Sequence, residues 1–219
     1  MKNIITSLNV WANKNKNKQV ADLITKVFWV QKVNFFNADL ETWQPPKLPR
    51  MRLKASFSFG TKEDVRELVS DPHLDAQGEL SYYLEKIQLG HQLLLARYKG
   101  EIVFYFWVVS GRKSLMDKFL QLEDNQIAIE RGFTRKEFRG HGLFPYALIY
   151  FMTIGENTAG KVGSCITEIA THNLPMLRTI KKCGFDPVDS YYYWIKTPFK
   201  HYALPFGPLA KYIFSKKSK

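Results

Sequence analysis

The chain has 219 residues, of which 45% are hydrophobic, 15% aromatic and 24% charged, and its formal net charge is +12. That composition excludes a wholly disordered or collagen-like chain and supplies the apolar material for one generous domain. The longest nearly apolar runs, 102–109 and 143–154, fall short of the roughly 18–20 residues of a membrane span, and the first residues lack the apolar stretch and small-residue cleavage site of a signal peptide.

Charge is unevenly placed. Residues 1–54 carry 10 Lys+Arg against 3 Asp+Glu, residues 55–195 carry 16 against 17, and residues 196–219 carry 6 Lys and no acid. The expected organisation is a basic N-terminal extension packing on the domain (1–50), a main domain (51–197) and a basic aromatic tail (198–219). Such ends suit an acidic protein or an anionic membrane surface, or act as solubilising extensions. No specific nucleic acid is predicted as a partner. The two cysteines, Cys165 and Cys183, build neither a disulfide framework nor a Cys-rich zinc site, which makes a reducing cytoplasm the default compartment.

In chain order, the polar run 13–18 (NKNKNK) reads as a loop or a solvated helix end, and 20–33 as helix or strand. Gln44-Pro45-Pro46-Lys47-Leu48-Pro49 is a stiff extended connector, because proline fixes φ and constrains its predecessor. It marks the expected domain boundary. Weak alternation over 54–59 predicts a strand. Thr61 with Asp64 three residues later predicts a capped helix start, which Asp71-Pro72 ends, and a second helix follows over about 79–89. Residues 91–97, the Lys99-Gly100 turn and 101–109 form a predicted hairpin. Its second strand is apolar on both faces over 102–109 and belongs in the centre of a sheet. Strands are expected at 126–133 and 164–170. Between them, Leu143, Ala147, Leu148, Phe151 and Ile154 recur at helical spacing. Residues 173–183 read as a short helix stopped by Gly184, with Lys181 and Lys182 in its last turn. A Tyr-rich strand at 190–196 closes the domain. This order predicts an α/β (α+β) fold: a mixed, mostly antiparallel central sheet with helices on both faces.

The stretch from Phe133 to Pro145 (FTRKEFRGHGLFP) joins a predicted strand to a predicted helix. Gly140 and Gly142 permit a tight turn and close approach to a ligand, and Pro145 falls in the first helical turn, where a missing N–H does no harm. Unpaired amides and the positive end of the helix dipole then face the loop, an arrangement suited to a pyrophosphate, with Arg139 adding a cation. Neither a Walker pattern nor the three spaced glycines of a dinucleotide fold is present. The alternative is a glycine-containing connection that binds nothing.

Arg139-Gly140-His141-Gly142-Leu143 resembles the coenzyme A pyrophosphate loop of the GCN5-related N-acetyltransferase (GNAT) superfamily, Gln/Arg-x-x-Gly-x-Gly/Ala. Arg139 matches the first position and Gly142 the fourth, while Phe144 stands where the family has Gly or Ala. The run from Asn173 to Gly184-Phe185 resembles the family's Asn-(x)n-Gly-Phe helix, and the element order from about residue 55 to 197 fits as well. The resemblance implies acetyl-CoA as co-substrate, with no metal, in a cleft where strands 126–133 and 164–170 splay apart. It implies cofactor contacts from Phe133, Thr134, Arg139, Gly140, His141, Gly142, Leu143, Phe144 and Asn173, and direct attack on the thioester by an amine acceptor on a small molecule, sugar or protein.

An amine with a pKa of about 10.4 must lose a proton before it attacks. Glu168 matches the Glu of the Leu-Glu-Val-x-x-x-Asn pattern in ribosomal-protein alanine acetyltransferases, where it serves as base. The bland reading is a strand carboxylate paired with a lysine or exposed at an edge. Glu130 is the second candidate. The family's acidic Tyr falls at Ile180 here, so Tyr191, Tyr192 or Tyr193 is left to substitute, unless those residues simply pack. A thiolate with a pKa near 8.5 also leaves unassisted. The five histidines show no paired metal spacing, and Cys165 and Cys183 read as bystander and core. The resulting expectation is an acyl-CoA-dependent N-acyltransferase. The alternatives are a non-catalytic GNAT-fold module that binds CoA or regulates through its basic ends, and an enzyme of this fold that takes its acyl group from acyl carrier protein.

Overall fold

A computed structural model describes residues 29–47, 49–76, 79–110, 122–155, 162–196 and 201–206. The elements run β1 (Trp29–Asp39), β2 (Ser56–Phe59), α1 (Lys62–Ser70), α2 (Leu80–Gln88), β3 (Gln92–Tyr98), β4 (Glu101–Ser110), β5 (Gln126–Thr134), α3 (Leu143–Gly155), β6 (Ser164–Ala170), α4 (Leu174–Lys182), β7 (Asp186–Lys196) and β8 (His201–Phe206). The strands form one sheet in the order β2-β3-β4-β5-β6-β1-β7-β8. Every pairing is antiparallel except that of β5 with β6.

The hairpin at Lys99-Gly100 forms as expected, with both turn residues at positive φ (52° and 88°), the backbone that matches the twist of the flanking strands. Residues 102–109 are all buried, as a strand covered on both faces requires. Alternation along β3 and β4 feeds two cores. Leu93, Leu95, Tyr105 and Trp107 pack with Val65 and Leu68 of α1 and Tyr83 of α2. Leu94, Phe104 and Phe106 pack with Leu143, Ala147 and Phe151 of α3 and Ile180 of α4. α1 starts at the expected cap, where the Thr61 hydroxyl accepts from the Asp64 amide and the Asp64 carboxylate accepts from the Thr61 amide. Among the described residues no helix is long and apolar enough to cross a membrane.

The ends of the chain depart from the expected organisation. Residues 29–39, expected in an extension packing on the domain, form an interior strand of its sheet: β1 lies between β6 and β7. Val33, Phe35, Phe36 and Ala38 are buried, and strand alternation sends Val33 and Phe35 to one core and Phe36 and Ala38 to the other. A buried β6 edge must find backbone partners, and a strand from the N-terminal segment supplies them. Within the expected tail, β8 pairs along β7. The NKNKNK run and the rest of 1–28, and the basic end 207–219, lie outside the described residues.

After β1 the chain crosses the α3/α4 side of the sheet as a strap. Leu40, Trp43, Met51, Leu53 and Ala55 pack on that core. The Trp43 indole N–H donates to the Cys183 carbonyl at 3.0 Å, and the Arg52 amide donates to the His141 carbonyl at 3.1 Å. The proline connector is therefore a bridge held at both ends.

Candidate active site

β5 and β6 pair only over Gln126–Ile129 and Ser164–Thr167, although both strands continue. The cause lies in β5. Between the pairs Tyr105↔Phe133 and Trp107↔Glu130 it carries one residue more than β4, and Arg131 there has a φ of 52°. A bulge of this kind bends its strand and turns β5 away from β6. The Thr167 hydroxyl donates to the Ile129 carbonyl at 3.2 Å, pinning the last paired step before the two strands part.

On the α3/α4 side, β5 leads through a short 3-10 turn (Lys136–Phe138) into the glycine loop. Gly140 and Gly142 both take left-handed backbone, φ 78° and 80°. Among the described residues the amides of Gly140, His141, Gly142, Leu143 and Phe144 donate to no acceptor, so the start of α3 presents a row of unpaired N–H groups. Arg139 is exposed; its Nε donates to the Thr134 carbonyl at 3.1 Å, and its guanidinium lies 5.7 Å from the Phe133 ring centroid. The Thr134 carbonyl is thus already engaged. His141 Nδ1 lies 3.1 Å from the Arg139 carbonyl, which turns the ring onto its own loop.

Other expected cofactor residues take structural work. Leu143 is buried core. The Phe144 ring packs edge-on against Phe104 and Phe106, each at 6.2 Å, in the hollow left beside Gly132 of the bulge, where an added Cβ would meet it at 3.4 Å. Phe144 therefore contributes packing through its side chain and only its amide to the loop. The Asn173 side chain caps α4 by accepting from the Met176 amide at 3.3 Å. The close approach expected of a ligand at Gly142 is made by the protein itself, since a Cβ there would lie 3.3 Å from the Arg50 carbonyl. At Gly140 the same position is open, with nothing within 4 Å.

The opposite side carries the carboxylates. Ala128 and Ile166 share a core with Val33 and Phe35, whereas Ile127, Ile129, Cys165 and Ile169 serve the α3/α4 core. Strand alternation then sets Glu130 and Glu168, the first residues past the paired stretch, together on the α1/α2 side. Glu130 is 7% exposed and its Oε2 lies 2.6 Å from Nζ of the fully buried Lys86. That ammonium also sits 5.3 Å from the Tyr82 ring and 5.5 Å from Trp107. Burial draws the Lys86 pKa down, against the upward pull of Glu130. Arg131, on the bulge, pairs with Glu79 at 3.3 Å. Glu130 is therefore committed to a buried ion pair, and Glu168 is the less enclosed carboxylate.

Lys86 was not among the sequence candidates. Its signal was its position, one helical step after Tyr83 on the inner face of α2. Tyr192 pairs with Val33 of β1, so a whole strand separates it from β6. Tyr191 stacks on Phe206 at 5.4 Å and receives the Lys32 ammonium 3.7 Å from its ring centroid. Ile180 is fully buried. Burial pushes the Cys165 thiol far up and that of Cys183 up to about 11, which leaves both inert as nucleophiles. Among the described residues no group of three or more His, Cys, Asp or Glu is arranged to hold a metal ion.

No protein-family model matches the sequence, and no curated protein does. Solved structures do match. A tandem GNAT protein from the clavulanic acid biosynthesis pathway superposes with a TM-score of 0.57 at 18% identity, over 76% of this chain and 53% of that one. A GCN5-related N-acetyltransferase from Sphaerobacter thermophilus gives 0.52 at 14% identity, over 87% and 57%. A GCN5-related N-acetyltransferase-like protein from Streptococcus suis gives 0.51 at 12%, over 80% and 66%. The fold is that of the GCN5-related N-acetyltransferases. This GNAT-fold chain spans between 53% and 66% of the length of those three structures.

Proposed function

We propose that the chain is an acyl-CoA-dependent N-acyltransferase that moves an acetyl group from acetyl-CoA to a primary amine. The observation that carries this reading is the parting of β5 from β6 after Ile129 and Thr167, with unpaired loop amides on one side and a half-buried carboxylate, Glu168, on the other. A thioester lying in the gap would have its pyrophosphate at the start of α3, where fixed N–H dipoles favour an anion, and its carbonyl between the two sides. The edge of β5 near Phe133 offers backbone groups to the pantetheine amides. GNAT-fold neighbours described as acetyltransferases support the same reaction class.

In this reading Glu168 removes a proton from the incoming ammonium, directly or through a water, because only the neutral amine is nucleophilic. The nitrogen attacks the thioester carbonyl carbon, the C–N bond forms, the nitrogen gives its second proton to water, the C–S bond breaks and the thiolate leaves. With Ile180 in the core and β1 between Tyr192 and the gap, no tyrosine is assigned as acid, and solvent protonates the thiolate. Glu130, held by Lys86, positions the bulge.

Thiol release from acetyl-CoA with a panel of primary amines tests the reading. Glu168→Gln is expected to lower kcat by roughly 10²–10⁴ with acetyl-CoA affinity intact and the acidic limb of the pH–rate profile removed. A loss under about threefold would take the base away from Glu168. Tight CoA binding without thiol release from any amine would favour the non-catalytic module, for which the buried Ile180 at the position of the family's acidic tyrosine is the specific argument.

A further inference from the structure

The strap that crosses to the glycine loop has a chemical character of its own. Over residues 50–55 its side chains alternate: Met51, Leu53 and Ala55 turn inward onto the α3/α4 core, while Arg50, Arg52 and Lys54 are exposed. None of these three cations has an ion-pair or hydrogen-bond partner among the described residues. Elsewhere Arg97 pairs with Asp64 and Glu67, Arg131 with Glu79, and Arg135 with Asp71 and Glu101. Together with Met51 and Leu53 the three cations line a surface groove of about 590 Å³.

The stripe is fixed to the loop by main chain. The Arg52 amide donates to the His141 carbonyl at 3.1 Å, and the Arg50 carbonyl lies against Gly142. A ligand whose diphosphate sits on the loop amides therefore meets the stripe within one residue of that contact. We propose that Arg50, Arg52 and Lys54 form a second anion subsite that takes the 3′-phosphate monoester of coenzyme A, beside the loop that takes its diphosphate. The inference rests on the acyl-CoA reading above. A phosphate monoester carries about −1.5 to −2 charges at neutral pH, and guanidinium groups match its oxygens in pairs. The phosphodiester that links a pantetheine arm to a carrier protein lacks this group, so the stripe selects the free coenzyme over a carrier-borne donor.

Calorimetry with coenzyme A and 3′-dephospho-coenzyme A tests the subsite on the full chain. Wild type is expected to prefer coenzyme A by roughly tenfold or more, the worth of one hydrogen bond to a charged group, and to lose that preference as salt rises. In Arg50→Gln/Arg52→Gln/Lys54→Gln, which keeps the side-chain stems, the two ligands should bind within about twofold of each other, with the affinity for 3′-dephospho-coenzyme A unchanged. Single Arg50→Gln and Arg52→Gln variants, each shrinking the preference, support the same assignment if the triple variant is unstable. Equal binding of both ligands by wild type, or a preference that survives the substitutions, overturns the subsite and leaves the acyl-CoA reading standing. Binding of neither ligand overturns both.

Discussion

The two sides of β5 handle charge in opposite ways. On the α1/α2 side charges are matched in or near the interior: Lys86 with Glu130, Arg131 with Glu79, Arg135 with Asp71 and Glu101. On the α3/α4 side, five loop amides and three strap cations have no described partner. The first arrangement holds a bulge in place against its own strain. The second stays solvated, which costs little at a surface and leaves the attraction available for an anion. The same strand is a structural clamp on one side and the start of a binding loop on the other.

The largest expected effect breaks the matched side. Lys86→Met leaves the Glu130 carboxylate buried without its partner and should lower stability by about 3–5 kcal/mol in urea unfolding. Lys86→Met/Glu130→Leu removes both charges and should recover most of that loss. A single variant as stable as wild type would mean that solvent reaches Glu130.

A smaller effect distinguishes the two loop glycines. Gly142→Val forces a branched side chain into left-handed backbone and against the Arg50 carbonyl, for an expected loss of roughly 1–3 kcal/mol and more than tenfold weaker coenzyme A binding as strap and loop move apart. Gly140→Ala meets nothing and should cost only about 1 kcal/mol of backbone strain. Because Gly140 is the open position, its substitution should nevertheless weaken coenzyme A binding. Unchanged affinity in a folded Gly140→Ala protein would move the anion away from the loop.

The smallest effect is a pH dependence. Burial pushes the Asp64 carboxyl up, but the Thr61 amide and the Arg97 guanidinium outweigh it and hold the pKa below its ordinary value. The folded state then binds fewer protons than the unfolded chain near pH 4. The contribution is fully present above the unfolded value of about 3.9 and is lost as pH falls through the depressed one. Asp64→Asn should flatten that part of the stability–pH curve and cost roughly 0.2–1 kcal/mol at neutral pH. An unaltered acid limb would show that the Thr61 cap stands without this carboxylate.

Much of this protein is legible in its sequence because the signals are local. The Thr61 cap, the left-handed turn at Lys99-Gly100, the double-faced apolar run of β4, the glycine loop before α3 and the stop at Gly184 each depend on a few neighbouring residues, and each appears where it is read. What only the tertiary structure decided involves partners far apart in the chain. Nothing local assigns residues 29–39 to the slot between β6 and β7, since strand pairing across more than a hundred residues is a matter of which buried edge remains open. Glu130 reads as a free carboxylate until Lys86, 44 positions away, is folded over it, and Gly142 reads as a ligand contact until the Arg50 carbonyl arrives there. Periodicity and capping follow from chemistry within one helical turn or one strand, whereas occupancy of a given space is settled only when the chain packs.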